Sequence, residues 1–215
     1  MPSIIEYQTV LARMQELGLR CQYYNSGAFG FDPADTICFI GWIVQQDSTI
    51  RAAAVQQTRL IAPPFEPNLT QLAIRAWLDL LPGPLWIMPK SQWAYELDFG
   101  CKSWLPAALA RAGIDATLLE GRTDSPAIEF SPAEADRAAA LIESLLRNLF
   151  GSDFALAFPD HAIACTLHHH KQIWWVARDE TIIRKIDFLR DVTARNGPNA
   201  ETPSRREERE EERGN

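Results

Sequence analysis

Several things this chain lacks narrow what it can be. Its longest strongly apolar run, residues 37–44, falls far short of the roughly 20 residues a helix needs to span a bilayer, so no membrane association is expected. The opening MPSIIEYQ has no basic n-region and no long apolar stretch, so no secretory leader is expected and the expected location is cytoplasmic. Cysteines are few: Cys21, Cys38, Cys101 and Cys165, with no C-x-x-C pair. Reduced, buried thiols are expected rather than a disulfide framework. No G-x-G-x-x-G and no G-K-[ST] occurs, so a phosphate-cradling loop has no support. Ser26, in YNSGAFG, lacks the G-x-S-x-G elbow of a serine nucleophile.

Cationic runs are missing as well. The formal net charge is −7, and the block from Glu201 to Arg213 accounts for only a small part of it. An acidic body without a basic patch repels phosphate backbones, so nucleic acid is not an expected partner. A protein or a small molecule is.

What is present suits a packed domain. Apolar residues make up 47% and charged residues 23% of the chain, an ordinary globular balance. The seven tryptophans and ten phenylalanines reach from Phe29 to Phe188, which argues for one continuous fold over residues 1–192. Beyond it, residues 193–215 hold two prolines and no apolar side chain larger than alanine. Such a segment cannot bury enough surface to offset its ordering entropy, and a disordered charged tail is expected.

Periodicity supplies the elements. A helix is expected at residues 7–17, with Ser3 and Glu6 at capping-box spacing and Gly18 as its stop. Residues 19–61 read as an antiparallel meander punctuated by Asn25-Ser26-Gly27, Asp32-Pro33 and Asp47-Ser48. A helix follows at 68–80 and an apolar strand at 85–88. Trp93, Tyr95, Leu97 and Phe99 alternate with Ala94, Glu96 and Asp98 and predict a half-buried strand. A helix at 103–113 and a strand at 114–119 would then complete a βαβ-like order. Ser131, Pro132 and Glu134 mark the start of a long helix. Three strands at 153–158, 162–167 and 172–177, closely spaced, should pair antiparallel, with a short last helix near residues 182–189. The expected architecture is α+β: a mixed, mostly antiparallel sheet covered by about four helices.

Chemistry-bearing residues are sparse. All four histidines fall between His161 and His170. On a strand, His168 and His170 share a face, and an H-x-H pair is a two-ligand start for zinc or a similar ion. With residues 159–162 as the hairpin turn, Asp153 lies opposite His168 and is the natural third ligand. His161 falls at the far end, too distant to share an ion. The plainer reading makes His168-His169-His170-Lys171 the exposed tip of a hairpin. Glu96 and Asp98 share a strand face in this reading, and Glu129 could join them around magnesium; the plainer reading is an acidic solvent face, which explains them without chemistry. Cys165 is expected to be a structural thiol. Tyr23-Tyr24 and Trp174-Trp175 are adjacent aromatic pairs, so in a strand one of each pair faces away from the other, which could supply a binding surface.

The function these features favour is a non-catalytic binding or interaction module with an aromatic-bearing sheet surface at Tyr23, Tyr24, Trp174 and Trp175. No cofactor is expected on that reading. The alternative is a metal-dependent enzyme, such as a hydrolase, with a transition metal such as zinc on Asp153, His168 and His170.

Overall fold

Short apolar runs build a single large sheet in the computed structural model, which describes residues 1–21, 29–31, 36–44 and 56–195. In chain order the first elements are β1 (Ser3–Ile5), α1 (Tyr7–Glu16), β2 (Leu19–Cys21), β3 (Phe29–Phe31), β4 (Cys38–Ile43) and β5 (Thr58–Leu60). Next come α2 (Phe65–Arg75), β6 (Leu85–Pro89), α3 (Trp93–Tyr95), α4 (Leu105–Arg111) and β7 (Ala127–Phe130). The chain continues with α5 (Ala135–Asn148), β8 (Phe154–Ala157), β9 (Ile163–His168), β10 (Gln172–Ala177) and α6 (Glu180–Arg195). Eight strands form a sheet in the order β1-β7-β6-β8-β9-β10-β4-β5, while β2 and β3 pair separately. Among the described residues, β4 and β5 are the one parallel pair in it. This is the α+β class with a mixed, mostly antiparallel sheet.

Continuous apolarity marks the centre of the sheet. All four residues of β8 are buried, and Phe154 and Leu156 face Leu167 and Cys165 across the β8–β9 ladder. These side chains point to one face with Ile87, Ile173, Trp175, Ile40 and Trp42, because alternate residues of a strand share a face. Helices α2, α4, α5 and α6 contribute to the same cluster. Trp175 anchors it, edge-on to Trp42 at 5.5 Å and stacked on Phe158 at 5.8 Å between ring centroids. The opposite face is smaller: Val10 and Met14 of α1 pack with Trp86, Met88, Ala155 and Ala157.

The long helix α5 follows its sequence signals closely. Ala138, Leu141, Ile142, Leu145 and Leu146 are buried at helical spacing. The Ser131–Glu134 capping box is formed, and the Ser131 backbone N–H holds the Glu134 carboxyl down to about 2. In α2 the helix begins at Phe65 and takes Pro67 into its first turn, where the missing N–H has no helical acceptor to lose.

Several expectations are corrected. Ser3 does not cap α1: it sits in β1 opposite Glu129 of β7, and pairing with a sheet edge wins over the local cap. Residues 19–61 are not one meander, because β4 leaves β3 and joins β10, with β5 parallel beside it. Residues 93–99 are helical, not a strand. Trp93 and Leu97, four apart, are buried, whereas Tyr95 and Phe99 are 49% and 77% exposed. The aromatic alternation therefore imitated a period of two in a segment whose burial follows a period of four. Residues 114–119 hold a 3₁₀ turn whose N-cap, Asp115, accepts the Thr117 N–H, so β6 and β7 meet as antiparallel neighbours without a βαβ crossover. Helix α6 runs on to Arg195, past the expected boundary at 192. The expected disordered tail otherwise lies outside the described residues. Among those residues, no helix is long and apolar enough to cross a membrane.

Candidate functional site

Register places three polar residues at one end of the sheet. Pro89 of β6 pairs with Phe154 of β8, and the Lys90 N–H donates to the Asp153 carbonyl at 2.9 Å, carrying that ladder one step further. On the other side of β8, the Phe154–Leu167 pair sets Asp153 against His168. By alternation, Lys90, Asp153 and His168 emerge on the face that carries Met88, Ala155 and Thr166. The β9–β10 turn then brings His169 and His170 back over this end, with Lys171 at φ 59°. The Lys171 ammonium fastens the turn to Glu66 of α2 at 2.7 Å.

A second wall comes from the segment after β6. Ser91 and Gln92 lead into α3, which continues as a π-helical turn over Glu96–Gly100. Between the two walls lies a cleft of about 600 Å³. Lys90, Asp153, His168 and His169 line one side, and Ser91, Tyr95, Glu96 and Ser152 line the other.

Asp153 organises the first wall. Its Oδ1 accepts the His169 backbone N–H at 3.1 Å and lies 2.9 Å from His169 Nδ1. A carboxylate oxygen in that position fixes the proton on Nδ1 and leaves the Nε2 lone pair for another partner. His168 is 6% exposed, its ring stacked between those of His169 and Trp174 at 4.2 Å each. Its Nδ1 accepts the His170 N–H at 3.2 Å. Burial pushes His168 down to about 4 against the opposing pull of Asp153, so the ring is neutral at neutral pH. Burial also lowers Lys90, again with Asp153 opposing.

The second wall centres on Glu96, which is 0% exposed. Its Oε1 accepts the Ser91 hydroxyl at 2.5 Å and its Oε2 accepts the Cys101 thiol at 3.0 Å. Burial first, then the hydrogen bond to Glu96, raises Cys101 far above the usual thiol range, so it is a donor and not a nucleophile. Gly100 is required here: a Cβ would stand 2.8 Å from Glu96 Oε2 and 3.2 Å from Ser152 Oγ.

The metal-ligand expectation meets a different arrangement. His168, His169 and His170 each offer one ring nitrogen, and these lie within 4.8 Å of one another. Two ligands of a tetrahedral zinc stand about 3.4 Å apart, so modest side-chain rotation would close the set. Asp153 falls outside this group of three. It orients His169, the role a carboxylate commonly plays behind a metal-binding imidazole. His161 is at the opposite end of β9, its Nε2 2.9 Å from the Pro82 carbonyl oxygen.

The expected aromatic surface also changes. Trp175 is 0% exposed and belongs to the core, because its neighbour Trp174 takes the other face. Trp174 is half-buried against His168, with its indole N–H on Gln172 Oε1 at 2.9 Å. Tyr23 and Tyr24 lie outside the described residues. The three carboxylates considered together are parted: Glu96 is in the cleft, Asp98 is exposed, and Glu129 is held on β7 by Trp86 and Ser3. Cys165 is fully buried, as a structural thiol.

His169, Lys90, Ser91 and Ser152 gain a place in the site that sequence reasoning did not give them, and Glu96 keeps one without Asp98 and Glu129. For His169 the signal was available, since a turn at 169–171 gathers all three imidazoles whatever their parity. No protein-family model matches this chain, and neither a curated protein nor a solved structure matches it significantly.

Proposed function

We propose that this cleft is a transition-metal centre of the zinc class and that the chain is a hydrolytic enzyme acting on a small polar molecule. The observation that carries the reading is the meeting of His168, His169 and His170 at the β9–β10 turn, with His168 and His169 in the cleft wall and Asp153 behind His169. An ion held by three imidazoles keeps an open position for water and lowers its pKa into the neutral range, which is what hydrolysis needs. Burial keeps His168 unprotonated without a competing proton to displace at neutral pH. The Lys90 ammonium, in the same wall, suits an anionic part of the substrate. The free thiols Cys38, Cys101 and Cys165 suit the reducing setting of the cytoplasm. The binding-module reading ranks second to this one, since Trp175 is in the core and Trp174 is packed on His168.

One contact favours a metal-free variant. The His170 N–H occupies His168 Nδ1, and the Asp153–His169 pair alone is an acid–base couple with its Nε2 available. Zinc titration by calorimetry at about pH 7.5, on tag-free protein, separates the two. The metal reading expects uptake at a single site, weakened at least about tenfold in His169→Ala. Absence of uptake by the wild type would sink it, and a chelator-insensitive activity lost in His169→Ala would install proton transfer in its place.

A further inference from the structure

The second wall of the cleft carries chemistry that the histidines do not use. Glu96 is fully buried, yet it lines the cleft together with Ser91, whose hydroxyl it holds at 2.5 Å. A buried carboxylate is costly unless its oxygens are satisfied, and here they take one hydroxyl and one thiol. The Cys101 contact and the close approach of Gly100 fix the carboxylate so that Oε1 is the oxygen presented to Ser91. Glu96 also opens the π-helical turn that ends at Gly100, with the Cys101 N–H returning to the Glu96 carbonyl at 2.7 Å. Single π turns inside helices recur at functional sites, where they aim a side chain that a regular helix would misplace.

We propose that Ser91 is a nucleophile activated by Glu96, and that the cleft accepts an activated acyl or phosphoryl group at Ser91 Oγ. The geometry meets the first requirement of general-base catalysis, a base within hydrogen-bond reach of the proton it takes. With an ester, the Oγ–carbonyl bond forms as the Oγ proton passes to Glu96 Oε1. The carbonyl–alkoxy bond then breaks, and the same proton leaves with the alcohol. Water hydrolyses the acyl-serine in the second half of the cycle. Lys90, which also lines the cleft, places a cation beside the group that would carry the oxyanion. This assignment stands on the Ser91–Glu96–Cys101 wall and is independent of metal at the histidines.

The test is labelling with a fluorophosphonate, read by intact-protein and peptide mass spectrometry in the presence of a chelator. The Oγ–phosphorus bond forms, fluoride leaves, and the Oγ proton goes to Glu96. The expected result is one adduct, on Ser91, absent in Ser91→Ala and slowed at least about tenfold in Glu96→Gln. No adduct at Ser91, or equal labelling rates in wild type and folded Glu96→Gln, would overturn the proposal. Should Glu96→Gln fail to fold, the wild type compared with and without urea decides. Labelling that collapses on unfolding supports an activated serine, and labelling that is unchanged on unfolding refutes it. Zinc uptake without labelling would overturn the serine alone, and labelling without zinc uptake would overturn the metal centre alone.

Discussion

Strand β9 has an aspartate and a histidine beside each of its ends, and the two ends are built differently. At its start, Asp160 pairs with Arg13 of α1 at 3.3 Å, Arg13 Nε donates to the Pro159 carbonyl at 2.5 Å, and His161 meets the Pro82 carbonyl oxygen. Those contacts tie a turn to a helix and to the loop before β6, and they use up the polar groups on backbone and ion pairs. At its far end, Asp153, His168 and His169 line a cleft walled by the segment after β6, with His170 beside them in the turn. The residue types match; the surroundings do not. A hairpin turn rich in Asp and His becomes a candidate site only where a second segment makes it concave and removes it from water.

The comparison can be broken at several points. The largest effect belongs to the core that both ends share: Trp175→Ala should cost about 3–5 kcal/mol in chemical denaturation. A cost near zero would return Trp175 to the surface. Next is the cleft end, where Asp153→Ala should lower zinc affinity about 10–100-fold by freeing the His169 ring. An unchanged affinity would remove Asp153 from the site.

A pH-dependent loss follows, from His168. Its folded value, about 4, lies below its ordinary value near 6.5, so the unfolded chain binds the extra proton between them. Stability on this account is complete above about pH 6.5 and declines as pH falls through about 4. Urea denaturation across that window should show the slope in wild type and lose much of it in His168→Gln. A slope untouched by that change would mean His168 is not the buried neutral group.

The other end of β9 should give smaller effects. Arg13→Ala removes a hydrogen bond and partly exposed ion pairs, for a small loss of stability with zinc affinity unaltered. His161→Ala, at a half-buried position with one hydrogen bond to backbone, should change stability by less than about 1 kcal/mol and leave the cleft as it was. A fall in zinc affinity from either change would mean the two ends communicate.

Sequence made some parts of this molecule legible and hid others. The stretch from Ser131 to Ala177 was readable because local signals and tertiary packing agree there. A complete capping box precedes a helix with a strong apolar face, and three apolar strands follow at hairpin spacing. In the stretch from Ser91 to Ser125 the helix expected at 103–113 was readable and is present as α4, but the segments on either side of it were not. Trp93, Tyr95, Leu97 and Phe99 gave the alternation of a strand, yet Tyr95 and Phe99 stay exposed while Glu96, a charged residue, is buried. No local pattern announces a buried glutamate, because what permits it is Ser91 and Cys101 arriving as donors. The histidine cluster was visible, and so was the position of Asp153 opposite His168. The partner that Asp153 takes depends on the turn conformation, with Lys171 at positive φ, and periodicity does not encode that.

The central claim is the metal centre at the end of β9, and its most direct test is metal content. Tag-free wild type, His169→Ala and the double change His168→Ala, His170→Ala would be incubated with zinc, passed through a desalting column and analysed by elemental mass spectrometry. The account predicts about one zinc per chain in wild type and loss of it in both variants. A wild type that leaves the column without metal, or variants that retain it in full, would contradict the account.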